Sequence, residues 1–338
     1  MVLLHWLGLI AGAMLGVIVS VLAAGALVTL IVTLRVGARF PPQGPFIEVD
    51  GGRLATIQAG PTTSSKGTVV LLHGASANAA DPMEGVGRRL AQDGFRVIAF
   101  DRPGYGWSDR LGGRDGGSPA VQGHAIAQAV ARMGTGPVVL LGHSWSGALA
   151  TAIALDHPEV VSGLVLVAPV AMPFPAMAPL PWYYRLALKP PVTWLLSRTV
   201  ATPIGLYYLE RAGRAAFRPQ ELPGDYLERS RSALVLRPAT MLANLEDLIG
   251  LPAALAAQAP RYGEIAVPTV VVSGDADAAV PATRHAAPLA KLIPGARLVL
   301  LPGIGHMVPY MATDALVDAV EGLATRIGAT RHEQPVAR

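Results

Sequence analysis

The chain has 338 residues, 51% of them hydrophobic, and a formal net charge of +4. It contains no cysteine, which excludes disulfides, thiolate metal sites and cysteine nucleophiles together. Its 27 basic residues are scattered rather than gathered into the stripe a nucleic-acid footprint requires, so no nucleic-acid partner is expected.

The first predicted element is a membrane helix. From Val2 to Leu34, 33 residues pass without Asp, Glu, Lys or Arg, and His5 is the one ionisable side chain. At about 1.5 Å per residue this run reaches roughly 50 Å, against a hydrocarbon core about 30 Å thick, so one tilted transmembrane helix fits. The competing reading is a cleaved secretory signal, which needs a basic start and an apolar stretch of about 7–15 residues. This run has no Lys or Arg ahead of it and is about twice too long, so the anchor is preferred. Arg35 and Arg39 follow the run, and the positive-inside rule then places the larger part of this single-pass membrane protein in the cytoplasm. The modest positive charge suits anionic lipid headgroups.

After a Pro/Gly linker at 41–45, residues 46–60 read as two short strands joined by Asp50-Gly51-Gly52, a hairpin signal. From Thr68 buried apolar runs alternate with helical stretches: TVVLL, then a helical run from Asp81, then FRVIAFD, then a helix with Ser118 as N-cap and Pro119 at its first position. PVVLLGHS, a helix from about Trp145 to His157, and SGLVLVAP at 162–169 follow. The strands are continuous in Val, Leu and Ile, as strands buried on both faces of a parallel sheet are. The pattern predicts a doubly wound α/β architecture. It stops at Val170 and resumes with PTVVVSGD (268–275), a helix near 282–292, ARLVLLP (296–302) and a last helix near 313–327, before a polar tail. The interruption is rich in Pro, Leu, Ala and aromatic residues, and its place between two core strands makes it a helical cap with an apolar pocket or a membrane-facing surface. The expected division is 1–39 for the anchor and its flank, 40–170 with 264–330 for the core, and 171–263 for the cap.

The candidate chemistry centres on Gly142-His143-Ser144-Trp145-Ser146-Gly147, between a strand and an Ala-rich helix. A strand–nucleophile–helix turn needs small residues two before and two after the nucleophile, because strand and helix approach closely there. Ser144 sits at the turn, with Gly142 and Ser146 as the small residues; Ser146 falls in the first helical turn, where its hydroxyl suits capping. Ser144 is the expected nucleophile. It needs a base, and the base an orienting acid. Of eight histidines only His306 lies in a glycine-rich loop after the last strand, where Ser144 should emerge. His73 and His143 sit in turns where a structural role fits better. For the acid, Asp275 and Asp277 both qualify in the loop GDADAAVP, and Asp277, further out and nearer the histidine loop, is preferred. The oxyanion hole would use the amides of Trp145 and of Ala75, in the loop after TVVLL.

These features together resemble the α/β-hydrolase superfamily across about residues 46–328. The motifs that carry the resemblance are HGAS at 73–76, the turn Asp101-Arg102-Pro103-Gly104-Tyr105-Gly106-Trp107-Ser108, the elbow GHSWSG, the acid loop GDADAAVP and the histidine loop GIGHMVP. The order Ser144, Asp277, His306 is that of the superfamily's triad. The resemblance implies an eight-stranded, mostly parallel sheet opening with the hairpin, and a helical cap in the insertion. Serine at the nucleophile position argues against the dehalogenases and epoxide hydrolases of this fold, which place aspartate there. The expected activity is cofactor-free cleavage of a carboxylic ester of a small apolar molecule through an acyl-enzyme. A C–C bond hydrolase, lactonase, perhydrolase or acyltransferase would use the same triad, and a vestigial, membrane-anchored binding protein is the alternative of another class. A metal site is not expected, because no two histidines sit at ligand spacing.

Overall fold

The computed structural model describes residues 1–174 and 186–333. The chain begins with one long helix, α1 (Val2–Arg39), whose mean hydropathy of 2.7 over its most apolar window makes it long and apolar enough to cross a membrane. A hairpin follows, β1 (Phe46–Val49) and β2 (Gly52–Ala59), paired antiparallel from Phe46 opposite Ala55 to Val49 opposite Gly52. The turn falls where Asp50-Gly51 predicts it, and Gly51 takes φ of +86°, a conformation glycine adopts without steric cost.

The core alternates from there: β3 (Thr68–Leu72), a helical run over 80–92, β4 (Arg96–Phe100), α2 (Pro119–Arg132), β5 (Val138–His143), α3 (Ser146–Asp156) and β6 (Val161–Val167). Three long helices of the insertion follow, α4 (Pro190–Thr199), α5 (Ala201–Phe217) and α6 (Pro238–Gln258). The core then closes with β7 (Thr269–Gly274), α7 (Ala286–Leu292), β8 (Arg297–Leu301) and α8 (Thr313–Glu333). The eight strands form one sheet in the order β1-β2-β4-β3-β5-β6-β7-β8. β3 to β8 run parallel, and only the β1–β2 and β2–β4 pairs are antiparallel.

The strand period of two sorts the side chains into two apolar layers. Val70 and Leu72 join Ile126, Leu149 and Ile153 of α2 and α3 on one face. Val69 and Leu71 join Val86, Leu90, Leu316 and Leu323 on the other. Every residue of β3 and β5 is buried, which is why these strands lack the polar alternation of a half-exposed sheet.

Boundaries shift in places. The run after Asp81 is a single turn of α-helix, a π-turn at Met83–Gly87 and a further turn to Gln92, rather than one regular helix. Ser118 precedes α2 in extended conformation, as expected, but makes no side-chain cap. The last helix runs on to Glu333, into the start of the polar tail. Residues 175–185 of the aromatic stretch lie outside the described residues.

Candidate active site

The carboxyl ends of β3, β5, β7 and β8 carry the loops that build the site. Ser144 follows β5 directly and sits at φ of +56°, a left-handed conformation that costs a non-glycine residue energy and persists only where its surroundings impose it. Three backbone bonds hold the turn. Ser144 N–H donates to Val167 O at 2.9 Å, and Ser144 O accepts from Gly147 N at 2.8 Å and Val170 N at 2.9 Å. The small-residue rule has a direct cause here: a Cβ on Gly142 would overlap the carbonyl oxygen of Ser146. Ser146 itself is fully buried, and its hydroxyl does not cap α3; it donates to the carbonyl of His73, tying the elbow to the end of β3. A glycine could not make that bond.

The three sequence-predicted polar residues come together. His306 Nε2 lies 2.9 Å from Ser144 Oγ, and His306 Nδ1 lies 2.7 Å from Asp277 Oδ2. The Asp277 side chain is fully buried, and its Oδ1 accepts from the amides of Ala279 at 2.9 Å and Val280 at 2.8 Å, which fixes the carboxylate's orientation. Asp275 is turned elsewhere: its Oδ1 accepts from Gly303 N at 2.7 Å, where it shapes the loop that carries His306. Ala75 and Ser144 line the same cavity. Among the described residues neither the Ala75 nor the Trp145 amide has a hydrogen-bond acceptor, so both are available to an incoming oxyanion.

Three further histidines make backbone or ring contacts within the fold. His73 Nε2 accepts from Arg102 N at 3.0 Å, and its burial holds its pKa well below the usual imidazole value. His143 stacks on His306 with ring centroids 5.0 Å apart, and its Nε2 meets the His306 carbonyl at 3.1 Å. Burial first, and the neighbouring His306 second, pull the His143 pKa down to about 3. A neutral ring there places no second cation beside His306. His285 receives the amides of Ala171 and Met172.

Two features were not visible in the sequence. The first is a buried ionic knot. Arg102 and Asp247, both fully buried, pair at 2.7 Å. Arg102 also donates to the carbonyls of His73 and Gly74 and lies over the rings of Tyr105 and Trp145, with its guanidinium carbon 4.2 and 4.0 Å from their centroids. Asp247 further accepts from Tyr105 Oη, Gln122 Nε2 and Arg110 Nη1. The knot joins the loop after β3, the elbow's Trp145 and helix α6 of the insertion. The second is Asp81, a buried carboxyl on the cavity wall that accepts from Tyr226 Oη at 2.9 Å; burial raises its pKa to about 6.

The cavity above Ser144 holds about 300 Å³. Its floor is Gly74, Ala75, His143 and His306, and its roof comes from the insertion, chiefly Gly205, Tyr208, Leu209 and Ala212 of α5 with Leu236 and Met241. Among the described residues its lining includes no Arg or Lys. No group of three His, Asp or Glu side chains among the described residues could hold a metal ion.

A family model described as alpha/beta hydrolase fold matches residues 67–311. Among curated proteins, the chain is 27% identical over 291 residues to a 2-hydroxy-6-oxononadienedioate/2-hydroxy-6-oxononatrienedioate hydrolase of Klebsiella pneumoniae, covering 83% of this chain and 95% of that one. It is 29% identical over 264 residues to a pimeloyl-[acyl-carrier protein] methyl ester esterase of Edwardsiella ictaluri, covering 74% and 89%. Among solved structures, an esterase from Exiguobacterium antarcticum superposes with a TM-score of 0.61 at 25% identity, covering 84% of this chain and 99% of that one.

Proposed function

The chain belongs to the alpha/beta hydrolase fold family, and from that premise we propose that it is a membrane-anchored serine hydrolase that cleaves carboxylic esters of apolar compounds. Ser144 is the nucleophile. As its Oγ attacks the ester carbonyl, His306 Nε2, 2.9 Å away, takes the hydroxyl proton, and Asp277 stabilises the imidazolium that forms. The amides of Ala75 and Trp145 receive the developing oxyanion, a contribution typically worth about 10²–10³ in rate for one such donor. His306 then protonates the departing alcohol. Water, activated by the same imidazole, hydrolyses the acyl-enzyme.

The observation that carries the ester reading over a carbon–carbon one is the charge of the cavity. Several relatives are named for 2-hydroxy-6-oxo dienoates or dienedioates, which are carboxylates with no ester bond, so that hydrolysis falls on a carbon–carbon bond. A mono- or dicarboxylate in this cavity would lie beside Asp81, with no cation among the described lining residues to offset its desolvation. A neutral ester meets no such cost. The relatives keep the second reading alive, and a direct comparison separates the two. Nitrophenyl esters from acetyl to palmitoyl and 2-hydroxy-6-oxo-6-phenylhexa-2,4-dienoate are offered to the same preparation. The ester reading expects kcat/KM on the best ester to exceed that on the dienoate by at least about 100-fold, the discrimination an uncompensated buried charge can supply. The reverse ranking moves the assignment to carbon–carbon cleavage.

The anchor is part of the proposal: α1 supports a single membrane span, with the hydrolase on the cytoplasmic side on the vote of Arg35 and Arg39. Resistance to alkaline extraction from membranes, and digestion of the domain only after the cytoplasmic face is opened to protease, are the expected results.

A further inference from the structure

Among the described residues, Asp81 is the one acidic side chain on the wall of the cavity above Ser144. It is 3% exposed and sits in the helical turn Ala80–Pro82, just after the loop that carries the Ala75 amide. Much of the remaining wall is Gly, Ala, Leu, Val and Met. A carboxylate against such a surface loses hydration, which is costly unless something offsets it.

Packing uses only part of the group. Tyr226 Oη of the insertion donates to Asp81 Oδ1 at 2.9 Å. Tyr310 Oη, from the segment after His306, donates to the main-chain carbonyl of Asp81 at 2.8 Å. A tyrosine hydroxyl has one proton, so both are committed. Any residue at 81 would supply the carbonyl, and the Tyr226 bond needs one oxygen. Among the described residues Oδ2 accepts no hydrogen bond and pairs with no Arg or Lys. Unlike His143 Nδ1 it is not sealed off in the interior, and the open space beside it is the cavity. One oxygen and the charge are left for whatever enters.

Position says which half of a substrate the carboxyl would meet. The turns over 80–87 pack against the segment after His306, where a Cβ on Gly85 would lie 2.9 Å from Pro309 Cβ. Met307, next to His306, lines the same cavity, and His306 is close enough to Asp81 for its charge to favour the ionised carboxyl. His306 is also the group that protonates the departing alcohol. Asp81 therefore stands on the alcohol side of Ser144.

We propose that Asp81 determines specificity for the alcohol half, and that the substrate is an ester whose alcohol carries a further hydroxyl, which donates to Asp81 Oδ2. The inference rests on the ester-hydrolase reading and narrows it from any apolar ester to one with a hydroxylated alcohol. A hydroxyl suits the site because it brings one donor to one free oxygen and stays neutral against the apolar walls. An ammonium would bring three donors to the same single oxygen.

The test uses the full chain at about pH 8, where the carboxyl is ionised, and three butyrates. These are glyceryl monobutyrate, propyl butyrate, which lacks only the two hydroxyls, and butyrylcholine, which brings a positive charge without a donor. Released butyrate is measured, and kcat/KM is compared as a ratio between substrates, because a purely structural loss lowers all three together. The parent should prefer glyceryl monobutyrate to propyl butyrate by at least about tenfold, the lower end for a hydrogen bond to a charged group. In Asp81→Leu/Tyr226→Phe, where both partners become apolar together, the ratio should fall to within about twofold of one. Asp81→Ala carries the test if the double variant does not fold. Tyr226→Phe alone should keep the preference. No preference in the parent, its survival without Asp81, its loss in Tyr226→Phe alone, or a parent that favours butyrylcholine would each overturn the proposal. Absence of turnover on all three by the parent would instead sink the ester-hydrolase reading itself.

Discussion

Asp247→Asn removes one charge from the buried knot and leaves the shape unchanged. Arg102 is fully buried, and a guanidinium cannot shed its proton at any pH the fold survives, so the variant holds an uncompensated cation in the interior. Breaking a buried pair from one side costs about 3–5 kcal/mol. Asp247 also accepts from Arg110, Tyr105 and Gln122, and the asparagine has one acceptor oxygen for all of these, which puts the loss toward the upper end. At roughly 2 °C per kcal/mol for a chain of this size, the melting temperature should fall by about 6–10 °C. Activity should fall too, because Arg102 holds the carbonyls of His73 and Gly74 that position the Ala75 amide. Thermal melts of the parent, Asp247→Asn and the double variant Arg102→Met/Asp247→Asn make the comparison. Removing the stranded cation should restore stability by more than half, since an apolar replacement of a buried pair is often close to neutral. A single variant within 1 kcal/mol of the parent, or a double variant no more stable than Asp247→Asn alone, would refute this account of the knot.

Asp277→Asn should lower kcat by about 10³–10⁴-fold with little change in KM, because the amide can stabilise neither the imidazolium nor the tautomer. Asp275→Asn should stay within a few-fold, since that carboxylate bonds the Gly303 amide and not the imidazole; equal losses in the two would remove the distinction. Asp81 has a pKa raised by burial to about 6, above its unfolded value near 3.9. The native state then holds more protons than the unfolded chain between those values, so stability is full below about pH 4 and declines as pH rises to about 6, by an amount on the order of 3 kcal/mol. Asp81→Asn should flatten part of that slope in melts at pH 4.5, 6 and 8. The slope from Asp101, raised to about 6 by its own burial, should remain. Ser146→Ala should cost about 1 kcal/mol for its bond to the His73 carbonyl while keeping most activity; loss of all turnover would mean that Ser146 does more than brace the elbow.

The parts of the fold that were legible in the sequence are those with short-range causes. Strands such as TVVLL and PVVLL lack a polar alternation because both faces are covered, and the turns that follow them are written in adjacent residues. His306 could be picked from eight histidines because a glycine-rich loop after a terminal strand is a local pattern. The choice of Asp277 over Asp275 rested on reach along one loop; in the structure Asp277 meets the His306 ring and Asp275 meets the Gly303 amide. The Arg102–Asp247 knot was not legible, although Arg102 stood in a motif already noted. Its partner is 145 residues away in the helical insertion, in a stretch, LEDLIG, that carries no local sign of a buried charge. Burial of a charge is a property of the assembled layers, and no window of sequence carries it. The same holds for Asp81 with Tyr226, and for the covered face of α1, whose residues read as uniformly apolar until α4 and α5 are packed against it. Ser146 was legible as a small residue but not as a hydrogen-bond donor, because the acceptor belongs to the loop after another strand.

The most direct test of the central claim is a pre-steady-state measurement with a nitrophenyl ester, followed by intact and peptide mass analysis of the quenched protein. The account predicts a burst of nitrophenol approaching one per chain, an acyl adduct on the peptide that contains Ser144, and loss of both in Ser144→Ala. Turnover that persists in Ser144→Ala, with no adduct at that serine in the parent, would contradict it.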